Sequence, residues 1–316
     1  MSASSKSRHR HNKVWLNGGI VPPEEANISL FTQTAMRGAN VYEGIRAYWD
    51  EAAGRMNVWK LDRHIKRLFE SMKIMHMTSP YTAAEYRQAV IDWLRANDFR
   101  RDVHFRLVVY FGDAGTGGTT AYKPEDVEFG AWIAGGGGRS DGQVDDGISV
   151  CVSSWRRIND DSMPARVKAG ANYQNSRLAG IEAAERGFDD ALLLTREAKL
   201  AESTGAGVML VRDGELITPP VTAGILESIT RAFLLDIWRR RSNRPGVERD
   251  VDRTELYVAD EIFLCGTGKE VTPVVAVDGM PVGDGKPGPV TRELQAALWA
   301  AARGEDPAWA GELTPV

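Results

Sequence analysis

Two cysteines in 316 residues, with no Cys-x-x-Cys spacing, leave little sulfur chemistry to consider. Cys151 and Cys265 both sit in apolar stretches, so they read as reduced, buried thiols of a cytoplasmic protein rather than a disulfide or a metal site. Histidine is scarce as well. The five lie at 9, 11, 64, 76 and 104, without ligand spacing, and no metal is expected. No apolar run approaches the roughly 20 residues needed to span a bilayer. A net charge of −4 lacks the basic excess that a nucleic-acid partner calls for. Residues 1–13 are basic and Ser-rich but no apolar segment follows, so they read as a disordered tail rather than a signal peptide.

What is present points to a two-domain globular chain. The length exceeds one small core, and 43% apolar with 26% charged residues is ordinary for a soluble protein. Leu61, Ile65, Leu68, Phe69, Met72 and Met75 form a helical stripe. A second helix is predicted over 82–97 and a buried strand over 105–111. From Gly135 to Gly147 the chain turns glycine-rich and polar, which predicts a flexible interdomain loop between a domain of 14–134 and one of 148–316. The second half alternates again. It holds a strand over 148–155, a helix bearing Leu178, Ile181 and Ala184, and a hairpin over 208–218 turning at Asp213-Gly214. A helix over 229–241, a strand over 261–265, a hairpin turning at Asp278-Gly279 and a helix started by Thr291 as N-cap complete it. Mixed helices and strands in both halves predict two α+β domains.

Four separated segments carry candidate chemistry. Lys168, in Lys168-Ala169-Gly170-Ala171-Asn172-Tyr173, is the kind of lysine that holds an aldehyde as a Schiff base, with Tyr173 five residues on. The run Gly224 to Arg231 leads into a helix whose first amides and Thr230 hydroxyl suit a phosphate, although an ordinary capped helix reads the same way. Cys265-Gly266-Thr267-Gly268-Lys269 is a glycine-rich turn after a strand, anion-binding or plain. Arg67 on the striped helix and Glu202 before a glycine-rich turn are a cation and a carboxylate of open purpose.

Taken together, the chain resembles the branched-chain amino acid aminotransferases, a family of fold-type IV pyridoxal-phosphate enzymes. The likeness rests on Val41-Tyr42-Glu43-Gly44-Ile45-Arg46, the block from Lys168 to Ser176, Ala201-Glu202, Thr218-Pro219-Pro220 and the segment Ser228 to Arg231. It continues through Tyr257 to Glu261, Gly266-Thr267, Glu270-Val271-Thr272-Pro273 and Gly288-Pro289-Val290-Thr291. The resemblance implies a small N-terminal and a larger C-terminal domain, and pyridoxal phosphate held by Lys168, which also moves the proton. It implies Tyr173 on the phenolic oxygen, Glu202 on the pyridine nitrogen, and Leu226 against the ring. Arg67, Ile229, Thr230 and Thr267 take the phosphate. Tyr42, Gly44 and Arg106 are implied in substrate binding, Arg106 toward a glutamate carboxylate. A homodimer acting on an amino donor and a 2-oxo acid by a ping-pong mechanism follows from the same likeness.

Departures from that pattern cluster at the expected substrate residues. Arg37 and His104 stand where the family carries tyrosines, Gly135 and Gly138 where it carries a tryptophan and a tyrosine, and Gly268-Lys269 where it carries two alanines. These changes predict a roomier pocket with added cations, hence an acceptor other than a plain branched aliphatic oxo acid. Lineage drift in an ordinary branched-chain enzyme is the competing reading. A D-amino acid or (R)-amine aminotransferase, an aminodeoxychorismate lyase and a non-catalytic pyridoxal-phosphate-binding protein stay open as alternatives. The four glycines at 135–138 do not lead into a helix as a nucleotide-binding fingerprint would.

Overall fold

The computed structural model describes residues 12–113, 127–138 and 141–316, which form two compact units. The first unit takes the described residues up to 138 together with Val167–Ala171 and Ala301–Val316; the second takes 141–166 and Asn172–Ala300.

The first unit contains strands β1 (Val14–Leu16) and β2 (Gly19–Val21), helix α1 (Gln33–Arg37), and strands β3 (Asn40–Asp50) and β4 (Arg55–Trp59). Helices α2 (Leu61–Ile74) and α3 (Ala83–Asn97) follow, then strands β5 (Val103–Phe111) and β6 (Phe129–Gly137). With the C-terminal strand Leu313–Pro315 they make a seven-stranded sheet in the order C-terminal strand, β4, β3, β5, β6, β1, β2. The long β3 is buried from Glu43 to Tyr48 because β4 and β5 flank it and α2 packs on it. The expected stripe is the buried face of α2, with Leu61, Ile65, Leu68 and Met72 inside. Thr82 caps α3 through a reciprocal box with Glu85.

The second unit contains α4 (Asp141–Asp146), β7 (Ile148–Arg156), α5 (Tyr173–Glu185), β8 (Asp190–Leu194), β9 (Leu200–Ser203), β10 (Gly207–Arg212) and β11 (Glu215–Thr218). Then come α6 (Ile229–Ser242), β12 (Val247–Glu248), β13 (Glu261–Gly266), β14 (Glu270–Val277), β15 (Met280–Pro281) and α7 (Pro289–Arg303). The nine-stranded sheet runs β12, β11, β10, β13, β14, β7, β8, β9, with β15 paired to β14. Both predicted hairpins turn where expected, with positive φ at Asp213-Gly214 and Asp278-Gly279.

Three expectations need correction. Most of the described glycine-rich stretch is secondary structure: Gly135–Gly137 finish β6 and Asp141–Asp146 form α4. Gly135 and Gly136 have φ of 152° and 115°, and their carbonyls accept from Asn12 Nδ2 and Arg101 Nη2, both at 2.8 Å. A ladder partner and two side-chain donors turn a flexible composition into a bulged strand end. The domain boundary is likewise not a single cut. Val167–Ala171 join the first unit because Tyr42 donates its amide to the Lys168 carbonyl and Ala169 bridges Val41. On α5, Leu178, Ile181 and Ala184 are exposed and the buried face is Ser176, Ala179 and Ala183, since only small side chains fit against Cys151, Ala191 and Leu193. Thr291 is no N-cap: it lies inside α7, where its amide and hydroxyl both donate to Glu261, which also accepts from the Val290 amide. The tail expected over 1–13 falls outside the described residues up to 11, whereas Lys13 is tied to Trp93 and Asn97 of α3.

Candidate active site

Strand β3 of the first unit organises one group of candidates. Lys168 is fixed through its backbone, its carbonyl on the Tyr42 amide at 2.9 Å and its amide on Ser71 Oγ at 3.4 Å. Gly170 keeps this segment close to β3, because a Cβ there would lie 2.6 Å from Asn40 Oδ1. The Lys168 ammonium stands 5.0 Å from the centroid of the Tyr42 ring, and the Arg106 guanidinium 5.1 Å from the same ring. Tyr42 therefore orients two cations by its π-face while its backbone holds one of them.

The next residue along β3, Glu43, is fully buried. Arg67 meets it in a fork, Nε on Oε1 at 2.8 Å and Nη2 on Oε2 at 2.7 Å, and His64 Nδ1 donates to Oε2 at 2.7 Å. Burial pushes the Glu43 carboxyl up, but the charge and hydrogen bonds of Arg67, helped by His64, outweigh it and bring the pKa down to about 2. Burial keeps His64 neutral, lowering its pKa against the pull of Glu43. His64 Nε2 is buried with no hydrogen-bond partner.

His104 pairs across from Arg46 on β3, and its Nε2 would lie 2.9 Å from a Cβ at residue 44. Gly44 thus makes room for the imidazole. Burial, and then the positive charges of Arg46, Arg106 and Lys168, drive the His104 pKa down to about 3, so the ring is neutral near pH 7.

The second unit holds the remaining candidates. Glu202 is buried, its Oε1 2.7 Å from Arg157 Nη2 and its Oε2 accepting from the Leu226 amide at 3.1 Å. Arg157 is buried too, and its Nε donates to the Gly224 carbonyl at 3.0 Å. A guanidinium at such range favours the ionised carboxylate. Ser228 caps α6 by accepting from the Arg231 amide, which leaves the first-turn amides of Ile229 and Thr230 as the ones helix geometry does not satisfy. Thr230 is buried. Thr267 and Gly268 sit in the turn between β13 and β14, and Tyr173 opens α5.

Two substrate candidates fare differently from expectation. Lys269 Nζ is 3.3 Å from Asp190 Oδ2, so its charge is answered within the second unit rather than left for a substrate. Arg37 is exposed on the last turn of α1. Sequence reasoning missed Glu43, His64, Arg157 and Asp190 as partners. The His64–Arg67 spacing of three on one helix was the only local signal; the other contacts join residues far apart in the chain.

The model of the family described as amino-transferase class IV matches residues 40–277. The chain belongs to this family. It is a fold-type IV, pyridoxal-phosphate-dependent aminotransferase. The probable branched-chain-amino-acid aminotransferase of Aquifex aeolicus is 37% identical over 308 residues, covering 96% of each chain. A solved structure of the branched-chain amino acid aminotransferase of Thermobaculum terrenum in its PLP form is 40% identical, with a TM-score of 0.89 over 98% of this chain and 99% of that one. The branched-chain aminotransferase of the archaeon Thermoproteus uzoniensis, solved with norvaline, is 35% identical, with a TM-score of 0.89 over 96% and 99%. These likenesses do not favour the lyase, D-amino acid or non-catalytic alternatives.

The residues of this aminotransferase fit the cofactor chemically. An amine suits an aldehyde, a buried carboxylate suits a protonated pyridine, and first-turn amides with a buried hydroxyl suit a phosphate. Among the described residues no cluster of His, Cys, Asp and Glu could hold a metal, and no helix is long and apolar enough to cross a membrane.

Proposed function

We propose that this aminotransferase moves the amino group of glutamate or a branched-chain amino acid to a 2-oxo acid, with Lys168 as its catalytic residue. The observation that carries the reading is the placement of Lys168, locked through its own backbone while its side chain stands over the Tyr42 ring. When bound, pyridoxal phosphate supplies an aldehyde for that amine and a ring that accepts the electron pair released at Cα of the amino acid. Lys168 Nζ would hold the aldehyde and, as a free amine, would hold and move the proton of the amino acid's Cα. Glu202 would pair with the ring nitrogen, and Arg157 holds the Glu202 carboxylate in place. Tyr173 would donate to the phenolic oxygen and Leu226 would pack on the ring. Arg67, Ile229, Thr230 and Thr267 would take the phosphate, with Glu43 fixing the orientation of Arg67. Tyr42, Gly44, His104, Arg106 and the Gly268 turn contact the substrate.

Borohydride reduction followed by peptide mapping tests this assignment. The label is expected on Lys168, and Lys168→Ala is expected to lose multiple-turnover transfer while retaining its fold. Label on another lysine would sink the proposal.

For the acceptor, steric evidence supports the open-pocket reading better than electrostatic evidence does. Lys269 is paired, whereas Gly135 and Gly138 bring no ring. A Cβ at Gly135 would stand 2.5 Å from Phe105 Cα, so this backbone cannot carry a tryptophan there; at Gly138 the nearest atom is Arg101 Nη1 at 3.9 Å. We therefore expect a bulkier or more polar 2-oxo acid to outperform 4-methyl-2-oxopentanoate. Gly138→Tyr should shift preference back toward branched aliphatics by about 1–3 kcal/mol in transition-state discrimination. A wild type that already prefers the branched aliphatic acids across a broad panel contradicts this.

The same reading includes a homodimer in the cytoplasm. Ile28, Leu30, Phe31 and Met36, all exposed and close together in sequence, support it as apolar surface for a second copy, Leu30 being 81% exposed.

A further inference from the structure

Asp190 is a buried carboxylate for which the reaction described above has no use. It opens β8 with its side chain 3% exposed, and it joins two turns that lie far apart in sequence. Its Oδ1 accepts from Thr204 Oγ1 at 2.5 Å, and Thr204 is two residues past Glu202. Its Oδ2 stands 3.3 Å from Lys269 Nζ, and Lys269 is two residues past Thr267. Small residues let these turns approach. Gly207 pairs with Cys265 across β10 and β13, and a Cβ at Gly266 would touch Ala206 Cβ at 3.4 Å. The second turn is also braced from its other end, where Thr272 Oγ1 donates to the Lys269 carbonyl at 2.6 Å and Glu270 takes φ of 52°.

We propose that Asp190 is a positioning residue that clamps the Glu202 turn to the Thr267 turn, with Thr204 and Lys269 as its two arms. Lys269 is then not a substrate ligand. Its side chain reaches back from the turn, so the ion pair sets where the backbone of Thr267 and Gly268 sits, while Thr204 ties the same carboxylate to the strand end that carries Glu202. One buried anion thus fixes the spacing between the residue assigned to the ring nitrogen and the turn assigned to the phosphate. This rests on the reading of Thr267 as a phosphate contact.

The test titrates pyridoxal phosphate into apoprotein, following quenching of tryptophan fluorescence, for the wild type, Lys269→Met, Asp190→Asn, the double variant, Lys269→Arg and Thr267→Ala. Thermal melting of each apoprotein is read alongside. Lys269 is partly exposed, so Lys269→Met should weaken cofactor affinity about two- to fivefold. Asp190→Asn keeps the Thr204 bond and should match it. The double variant should be no weaker than either single one, because both remove the same contact, and Lys269→Arg should recover most of the affinity. Additive losses in the double variant, or unchanged affinity in both single variants while Thr267→Ala weakens binding, overturn the clamp. Lower melting temperatures with unchanged affinity overturn it as well, because they mark a merely structural pair. Unchanged affinity in Thr267→Ala overturns instead the phosphate reading of the turn on which the clamp rests.

Discussion

Arg157 shows how much of the site's chemistry resides in residues that touch no reacting atom. Both members of the Arg157–Glu202 pair are buried, with side chains 6% and 9% exposed. Replacing Arg157 by methionine strands a carboxylate in a low-dielectric setting. It should cost on the order of 3 kcal/mol of stability and weaken cofactor binding. Urea unfolding with and without pyridoxal phosphate checks both; an unchanged midpoint contradicts the pairing. Glu43 and His104 make opposite uses of burial, and both act on acid stability. The Glu43 pKa falls from 4.5 unfolded to about 2 folded, so its contribution is complete above pH 4.5 and lost as pH drops toward 2. Wild type and Glu43→Gln should therefore differ most above pH 4.5 and converge below it. For His104 the fall from 6.5 to about 3 means the folded state resists protonation, and stability drains away as pH falls from 6.5. His104→Asn should flatten the stability profile across that window. Identical slopes in urea unfolding at stepped pH would count against the buried, neutral imidazole.

At the scale of elements, starts and stops decide more than propensity. The capping box of Thr82 and Glu85 is readable from sequence, and Thr82→Ala should cost about 1 kcal/mol. The start of α7 is different, because its cap is Glu261, a residue of β13 about 30 positions earlier. Gly288 lies directly against this carboxylate, and a Cβ there would overlap it. Gly288→Ala should therefore displace Glu261 and destabilise the protein by roughly 1–3 kcal/mol, visible as a lower melting temperature. If the alanine variant melts with the wild type, Glu261 is not the cap that holds this helix. On α5 the larger side chains do not form the buried face. Leu178 and Ile181 are the apolar bulk, but β7 and β8 approach α5 closely enough that alanine and serine form the contact.

At the scale of the whole molecule, the expected assembly is the remaining question of function. Sedimentation at micromolar concentration should give a dimer, and Leu30→Glu combined with Phe31→Glu should shift it toward monomer with loss of activity. A fully active monomer would contradict the homodimer.

The sequence by itself determined the element types, the α+β class and the family. Those properties are local: stripes on helices, Asp-Gly turns, a lysine and a tyrosine at fixed spacing, and ordered motifs along most of the chain. Tertiary structure alone decided which charges answer one another. Glu43 holds Arg67 across 24 positions, Arg157 holds Glu202 across 45, and Lys269 turns to Asp190 across 79. It also decided that a glycine-rich stretch becomes a strand end, since a neighbouring strand and two donors satisfy its backbone. The physical reason is the same in each case. A buried polar group must find a partner wherever the fold brings one, and sequence spacing carries no record of that encounter.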